Sequence, residues 1–199
     1  MSFFSEAKFR FKEVSEDGKI ETDSFLKACS EIVPFFDVLG PTTFAPVKMD
    51  INGNIKKLRG FYDSNPQKFR TLQDLVDSEI NARTTKAKNS ATDALLWLKR
   101  AMQFILTFLK KVLTGEPDLV KCANIAYERT LKQYHNFIVK GIFNLAVKSV
   151  PYRKDFIASL GRGVADELVV LEEMQAFVDE LDANIDIIQE YYSNNGLDL

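Results

Sequence analysis

Several features that would point quickly to a function are scarce or missing in this 199-residue chain. Its most apolar stretch, residues 94–113, is interrupted by four lysine or arginine side chains, so no run is long enough to span a bilayer. The first residues lack the architecture of a signal peptide. The two cysteines, Cys29 and Cys122, have no CxxC or metal-binding spacing and fit reduced core positions. We therefore expect a soluble, cytoplasmic protein with no metal site and no cofactor.

An excess of charge of one sign is also missing. The chain has 26 basic and 28 acidic residues and a formal net charge of −2. This balance excludes the broad positive field that nucleic-acid binding requires. No GxSxG motif, cluster of metal ligands or phosphate-binding loop accompanies His135 and Asp50, the two residues that an enzyme would have to use. We therefore expect neither a nucleic-acid-binding protein nor an enzyme.

Strand-like alternation is absent, and helical periodicity dominates the chain. The sequence predicts an N-terminal arm over residues 1–20, followed by a single domain over residues 21–199. The predicted helices span residues 22–39, 44–62, 69–83, 90–113, 118–134, 135–150, 152–160 and 166–192. The expected fold class is an all-α layered bundle of about eight helices, with helix 90–113 buried at its centre.

The central helix carries the only tryptophan at the head of an apolar face. Trp97 shares this face with Asp93, Ala101, Phe104 and Phe108 at helical spacing. The face is polar at one end and apolar beyond it, which suits an amphipathic ligand, although a lone helical tryptophan is more often part of the core. A polar stripe on another side of the helix is expected to be solvated: Lys99, Gln103, Thr107, Lys110 and Thr114.

Three polar residues, Asp50, Asn54 and Lys57, follow one another at helical spacing. A carboxylate, an amide and an ammonium therefore lie on one narrow stripe of a helix. Together they can bind several hydroxyls and an amide at once. Taken singly, Asp50 and Lys57 also fit a surface ion pair, and His135, the only histidine, also fits a satisfied core residue.

A resemblance to a known family strengthens the ligand interpretation. The chain contains, in order, Phe25-Leu26 with Ser30, Pro34-Phe35-Phe36-Asp37-Val38-Leu39-Gly40, Asp50-Ile51 with Gly53-Asn54-Ile55 and Lys57, Leu96-Trp97-Leu98-Lys99-Arg100, Tyr134-His135 with Phe137-Ile138-Val139, and Pro151-Tyr152. Together these blocks resemble the glycolipid transfer protein family over about residues 20–192. The resemblance implies a two-layer all-α bundle that holds the acyl chains of a sphingolipid between its helices. It also implies non-enzymatic transfer of glycosphingolipids between membranes.

The resemblance further implies a role for each polar residue. Asp50 and Asn54 would accept and donate hydrogen bonds to the first sugar, with Lys57 assisting. Trp97 would stack on the apolar face of that sugar, and His135 with Asp50 would hold the ceramide amide. Asp93 departs from the family pattern, in which an apolar residue is usual here. It fits a first-turn carboxylate of the helix, and it could also add a second acidic acceptor to the headgroup site.

The expected cargo is a neutral glycosphingolipid of the galactosylceramide, glucosylceramide or lactosylceramide type. Relatives that carry phosphorylated sphingolipids use a basic residue near the position of Trp97, and an indole cannot neutralise a phosphate. Two alternatives stay open: a carrier of phosphorylated sphingolipid, and a sensor that binds sphingolipid and reports to a protein partner without bulk transfer.

The 16 phenylalanines fit either a thick core or a lined cavity. The candidate cavity residues are Phe35, Phe36, Phe44, Val47, Phe104, Phe108, Phe143 and Leu145.

A transient peripheral contact with membranes needs a surface that is partly aromatic and partly basic. Such residues cluster in the sequence around one helix end: Phe137, Lys140, Lys148, Tyr152, Arg153 and Lys154. An ordinary solvated helix face is the alternative.

The segment Pro34-Phe35-Phe36-Asp37 resembles the motif that tethers lipid carriers to endoplasmic-reticulum receptors, but its place at a helix end favours core packing.

Overall fold

The computed structural model describes residues 2–11, 17–163 and 165–198. These residues form nine α-helices: α1 (Thr22–Ile32), α2 (Phe35–Leu39), α3 (Ala45–Ser64), α4 (Leu72–Ala82), α5 (Ala91–Leu113), α6 (Leu119–Thr130), α7 (Phe137–Ala146), α8 (Arg153–Leu160) and α9 (Glu167–Asn194). Two short 3-10 turns, Lys132–Tyr134 and Val147–Ser149, flank α7. Within the described ranges the only β pairing is an isolated antiparallel bridge between Glu21 and Thr71. The all-α fold class is therefore confirmed.

Helix α5 is the centre of the bundle. It contacts α3, α4, α6 and α9, and sixteen of its 23 residues are buried. A helix that is apolar on most sides must be covered on most sides, and these four helices provide that cover. None of the helices in the described part of the chain is both long and apolar enough to cross a membrane.

The start of α5 is fixed by two acceptors. The Ser90 hydroxyl accepts from the backbone N–H of Asp93 at 3.0 Å. The Glu79 carboxylate accepts from the N–H groups of Ala91 and Thr92 at 2.7 and 2.8 Å, and from the Thr92 hydroxyl at 2.6 Å. These bonds satisfy amides that have no partner within the helix. They also fix the helix just before Asp93 and Trp97.

The predicted helix over residues 22–39 is two helices in the structure. Pro34 lies between α1 and α2, because a proline has no N–H to continue the helical hydrogen bonds and its ring restricts the preceding turn. Phe35 and Phe36 are fully buried, and the Phe35 ring packs against Phe108 and Phe156 at centroid distances of 6.0 and 5.9 Å. These rings are not accessible to a receptor, so the core-packing alternative describes this segment.

The polar stripe of α5 is not uniformly solvated, contrary to the expectation. The side chain of Lys99 is only 1% exposed, because α9 and the residues that follow it pack over this part of α5. Burial lowers the pKa of Lys99, while a hydrogen bond to Asp198 opposes that shift. Farther along the stripe, Lys110 stays exposed and pairs with Asp182 of α9 at 2.7 Å.

The first residues of the chain contribute to the core. Phe4 and Phe11 are buried, and both rings pack against Phe177 of α9, at centroid distances of 5.2 and 5.8 Å. Ile20 is buried as well. The predicted N-terminal arm therefore packs against the helices over its described residues.

Candidate functional site

The helices α3, α5, α6 and α7 surround a cavity of about 560 Å³. One end of its wall is polar and the rest is mainly aliphatic and aromatic. The lining residues are Thr43, Phe44, Pro46, Val47, Asp50, Ile51, Asn54, Lys57, Asp93, Trp97, Ala101, Phe104, Tyr127, Leu131, Tyr134, His135, Asn136, Val139, Ile142, Phe143 and Ala146. All five residues assigned to the headgroup site from the sequence are in this wall, and so is Asp93.

The polar stripe of α3 forms one side of the polar end. Asn54 is buried and its Nδ2 donates to Oδ2 of Asp50, one turn earlier, at 3.4 Å. Asp50 lies at the exposed rim, but the surrounding protein partly desolvates its carboxylate. This desolvation raises the pKa of Asp50; the charge of Lys57 opposes the shift and that of Asp93 adds to it. The negative charge of Asp93 on α5 thus acts on the Asp50 carboxyl of α3, and both residues line the cavity.

Trp97 and His135 form the opposite side. Their rings are nearly parallel, with an interplanar angle of 15° and centroids 5.9 Å apart. The Trp97 indole also meets the Tyr134 ring edge-on at 6.4 Å. The indole is half-buried, so part of its surface stays open to the cavity. An aromatic face beside carboxylate and amide groups can hold a ring that has both apolar C–H bonds and hydroxyls.

The orientation of His135 is set by a tyrosine. Tyr127 Oη and His135 Nδ1 are 3.0 Å apart. Because Nδ1 is engaged by Tyr127, Nε2 is the ring nitrogen left for a further hydrogen bond. Burial lowers the pKa of His135, and the nearby charges of Lys140 and Arg100 lower it further. The imidazole is therefore neutral at neutral pH and can donate one hydrogen bond while accepting another.

The apolar wall overlaps only in part with the predicted cavity residues. Phe44, Val47, Phe104 and Phe143 line the cavity. The other four predicted residues do not: Phe35, Phe36 and Phe108 lie in the closed core, and Leu145 is 66% exposed on the outside of α7. Leu145 is two positions after Phe143, and two positions along a helix turn a side chain to the other side.

The sequence did not identify several wall residues. Tyr127 is buried and stacks on Phe143, with an interplanar angle of 11° and centroids 3.7 Å apart. Tyr134 forms the wall beside Trp97. Eight positions separate Tyr127 from His135, which is more than two helical turns, so helical spacing alone does not place their side chains in contact. The 3-10 turn Lys132–Tyr134 lies between them and brings the chain back. The single available signal was the density of aromatic residues around His135.

The predicted membrane-contact residues differ in their exposure. Phe137 and Tyr152 are 82% and 85% exposed, and Lys148 and Lys154 are exposed too, while Lys140 is half-buried. Three further apolar residues of α7, Ile138, Ile142 and Leu145, are also exposed.

Arg153 corrects this prediction, because its guanidinium faces inward. Its Nη1 donates to the carbonyl oxygen of Val112 at 2.7 Å, and its side chain is only 17% exposed. The arginine therefore stabilises the C-terminal end of α5, where carbonyl groups lack partners and attract a positive charge.

In the described part of the chain, no group of histidine, cysteine, aspartate or glutamate residues could hold a metal ion. Cys29 and Cys122 are both free and buried.

An all-α bundle around a cavity that is polar at one end and apolar at the other is typical of a protein that binds an amphipathic ligand. More particularly, the chain belongs to the glycolipid transfer protein family, because the sequence pattern of that family matches residues 20–162. Members of this family are lipid transfer proteins rather than enzymes.

Individual relatives support this assignment. The chain is 38% identical to the human pleckstrin homology domain-containing family A member 8 over 205 residues, which cover 99% of this chain and 40% of that protein. The rat protein of the same name is 46% identical over 161 residues, 80% of this chain and 31% of the relative. The chain thus spans about two fifths or less of the length of these relatives.

Solved structures share the fold. A structure of FAPP2, described as selecting simple glycosphingolipids with the GLTP fold, matches with a TM-score of 0.91 and 39% identity over 99% of this chain and 97% of that one. HET-C2, a fungal glycolipid transfer protein, matches with a TM-score of 0.87 and 36% identity, covering 96% and 97% of the two chains. Mouse ceramide-1-phosphate transfer protein has a TM-score of 0.84 at 20% identity, covering 99% of this chain and 95% of that one, and shares the fold.

Proposed function

We propose that this protein binds neutral glycosphingolipids and transfers them between membranes without chemical change. The observation that carries the proposal is the meeting of two polar walls at one end of an apolar cavity. Asp50, Asn54 and Lys57 form one wall, and Trp97 with His135 forms the other.

The polar end of the cavity suits the headgroup of a glycosphingolipid, and the apolar part suits its acyl chains. The sugar stacks on Trp97, and its hydroxyls exchange hydrogen bonds with Asp50 and Asn54. The ceramide amide lies between Asp50, which accepts from its N–H, and His135 Nε2, which donates to its carbonyl. The acyl chains extend along the apolar wall beside Phe44, Phe104 and Phe143.

A carrier of this kind removes most of the cost of taking a lipid out of a bilayer. Exposing about thirty methylenes to water costs on the order of 20 kcal/mol at about 0.8 kcal/mol each. An apolar cavity takes the place of water around those methylenes and so lowers the cost of desorption. The protein can therefore speed exchange between membranes without making or breaking a covalent bond.

The charges at the polar end of the cavity favour a neutral headgroup. Asp50 and Asp93 contribute two carboxylates against the single ammonium of Lys57. A phosphate needs cations, and the nearby Arg100 guanidinium stacks on Tyr134 and pairs with Asp198 instead of lining the cavity. FAPP2, which is similar over nearly the whole chain, is described as selecting simple glycosphingolipids. We therefore expect cargo of the galactosylceramide, glucosylceramide or lactosylceramide type.

Membrane contact in this proposal uses the exposed apolar surface of α7 together with Tyr152. Phe137, Ile138 and Leu145 provide apolar area, and Lys148 and Lys154 can meet anionic lipid. Such contact is weak and reversible, as a shuttle requires. Cytoplasmic action stays a prediction.

A vesicle assay tests the proposal directly. Donor vesicles contain fluorescent glucosylceramide or fluorescent ceramide-1-phosphate, and transfer to unlabelled acceptors is followed with and without the protein. We expect protein-dependent transfer of glucosylceramide and little transfer of ceramide-1-phosphate. The reverse preference would overturn the proposed cargo, and lipid binding without transfer would identify a sensor instead of a carrier.

A further inference from the structure

Asp93 lines the polar end of the cavity, next to the residues assigned to the sugar. It lies one helical turn before Trp97 on α5, so the two side chains share one side of that helix. Both residues line the cavity, and so does Asp50 on α3, which packs against α5. The Asp93 carboxylate is therefore beside the place that the sugar would occupy.

The Asp93 carboxylate is available to a ligand. Asp93 is exposed, and within the described ranges its carboxylate takes part in no hydrogen bond or ion pair. Asp50 differs, because it accepts a hydrogen bond from Asn54 and is attracted to the charge of Lys57. Asp93 thus keeps its acceptor positions and its charge for whatever enters the polar end of the cavity.

The backbone at Asp93 is fixed by the capping of α5. The Ser90 hydroxyl accepts from the N–H of Asp93 at 3.0 Å, and the Glu79 carboxylate holds the N–H groups of Ala91 and Thr92. An aspartate side chain is short, so a fixed backbone leaves its carboxylate little room to move away. The negative charge therefore stays at the polar end.

The charge of Asp93 acts on the wall that α3 contributes. It adds to the desolvation that raises the pKa of Asp50, and the charge of Lys57 opposes both effects. This part of the polar end thus has two carboxylates against one ammonium. A ligand group placed here meets a negative field.

The nearby positive charges act on a different part of the site. Lys140 and Arg100 both lower the pKa of His135, so their field reaches the imidazole. Neither of them lines the cavity. They lie on the side where the ceramide amide would be held, and they do not offer a partner to an acidic group on the sugar.

We propose that Asp93 is a specificity-determining residue that excludes acidic glycolipids, because its carboxylate repels a sulfate ester on the sugar and accepts the hydroxyls of a neutral one. The proposal rests on the proposed function and narrows its cargo to uncharged sugars. A sulfate ester carries a negative charge and has no proton to donate, so a neighbouring carboxylate can only repel it. Asp50 cannot be the selective group, because it is also needed to hold the neutral sugar and the amide.

The test compares two lipids that differ only in the charged ester, galactosylceramide and sulfated galactosylceramide. Short-chain forms of both are titrated in solution against Trp97 fluorescence, which keeps the charge of a membrane out of the measurement. The wild-type protein should prefer the neutral lipid. In Asp93→Asn, affinity for the sulfated lipid should rise about five- to tenfold, while affinity for galactosylceramide should change less than about twofold. Added salt should weaken the preference of the wild-type protein, because it screens the repulsion.

Two further variants separate the charge of Asp93 from other effects. Asp93→Glu retains the carboxylate and should retain the preference for the neutral lipid. Asp63→Asn makes the same change in net charge at an exposed position near the end of α3 that lines no part of the cavity. Both of its affinities should equal those of the wild-type protein. Thermal unfolding of each variant checks that it folds.

A measurement on the lipid-free protein tests the electrostatic part alone. The pKa of Asp50, followed by carboxyl NMR, should fall in Asp93→Asn, because a repelling charge has been removed. An unchanged pKa of Asp50 would overturn the proposal, as would equal affinities of the wild-type protein for the two lipids or an unaltered preference in Asp93→Asn. If the wild-type protein binds neither lipid, the proposed function fails, whereas the titration of Asp50 still decides whether Asp93 acts on the polar wall.

Discussion

The Trp97 indole and the His135 imidazole are nearly parallel and 5.9 Å apart, although they belong to different parts of the bundle. Trp97 lies two turns into α5, and His135 follows the 3-10 turn after α6. Helix packing and the Tyr134 side chain bring the two rings together at one end of the cavity. The proposed recognition of sugar and amide depends on this pair, and the first predictions concern it.

Replacing the indole should abolish most of the lipid transfer. Trp97→Ala removes the stacking surface, and losing about 1.5–3 kcal/mol of binding free energy corresponds to roughly a ten- to hundredfold loss of affinity. Trp97→Phe keeps a smaller aromatic face and should lose less. Vesicle transfer rates measure the effect, and thermal unfolding checks that the half-buried site still folds. A wild-type rate in Trp97→Ala would contradict the assigned site.

Tyr127→Phe should weaken binding without changing the shape of the cavity. The variant deletes the hydroxyl that lies 3.0 Å from His135 Nδ1, so the imidazole loses the partner that sets its orientation. We expect a cost of about 1 kcal/mol, or a several-fold weaker glucosylceramide affinity by fluorescence titration. The control is Tyr62→Phe at the other end of α3, beside Arg59, which should bind as wild type does. Equal affinities for both variants would show that the tyrosine does not position His135.

Much of this arrangement could be predicted from local patterns. The spacing of Asp50, Asn54 and Lys57 placed them on one side of α3, and the apolar character of α5 predicted its central position. Both inferences depend on helical periodicity, which the sequence contains directly. Family resemblance then assigned Trp97 and His135 to the same headgroup site, and all five residues line one cavity.

Other features depend on tertiary packing and were not accessible in this way. The burial of Lys99 follows from where α9 and Asp198 come to rest, and no pattern within α5 indicates it. Likewise, an apolar periodicity cannot distinguish a ring that lines a cavity, such as Phe104, from one that lies in closed core, such as Phe108. Both look the same in sequence because both avoid water.

His135 is the only histidine of the chain, so NMR can follow its imidazole signals without overlap and measure its pKa. Burial and the charges of Lys140 and Arg100 place the pKa of His135 below its ordinary value of 6.5. The unfolded chain therefore takes up a proton at a higher pH than the folded protein does. The free energy of unfolding should fall as the pH drops from 6.5 through the lower folded-state pKa, and be unaffected by His135 above that window.

His135→Gln should remove this part of the pH dependence, because glutamine does not titrate. Imidazole chemical shifts followed against pH give the folded-state pKa, and urea unfolding at several pH values gives the stability. A histidine that titrates above 6.5 would contradict the buried, neutral imidazole.

Phe137→Ser should separate membrane contact from lipid binding. Phe137 is 82% exposed and lines no part of the cavity, so its removal should change stability by less than about 0.5 kcal/mol. Without the phenylalanine, the free energy of membrane contact becomes less favourable by up to about 1.5–3 kcal/mol. Transfer between vesicles should therefore slow about tenfold. Affinity for a short-chain glucosylceramide in solution should not change. If that affinity falls as much as the transfer rate, the residue acts on the cavity and not on the membrane.

Asp50→Asn should stabilise the protein while it impairs binding. Desolvation, together with repulsion from Asp93, raises the pKa of Asp50 above its ordinary value of 3.8 despite the charge of Lys57. The folded state therefore holds the carboxyl proton more tightly than the unfolded chain, and stability is lost as the pH rises from 3.8 through that raised pKa. At pH 7 the ionised carboxylate thus destabilises the lipid-free fold, and an amide in its place avoids that cost. Asp63→Asn, an exposed position near the end of the same helix, is the control and should leave both properties unchanged. Urea unfolding at pH 7 and glucosylceramide titration measure the two effects, and a destabilised Asp50→Asn would show that the carboxylate serves the fold instead of the ligand.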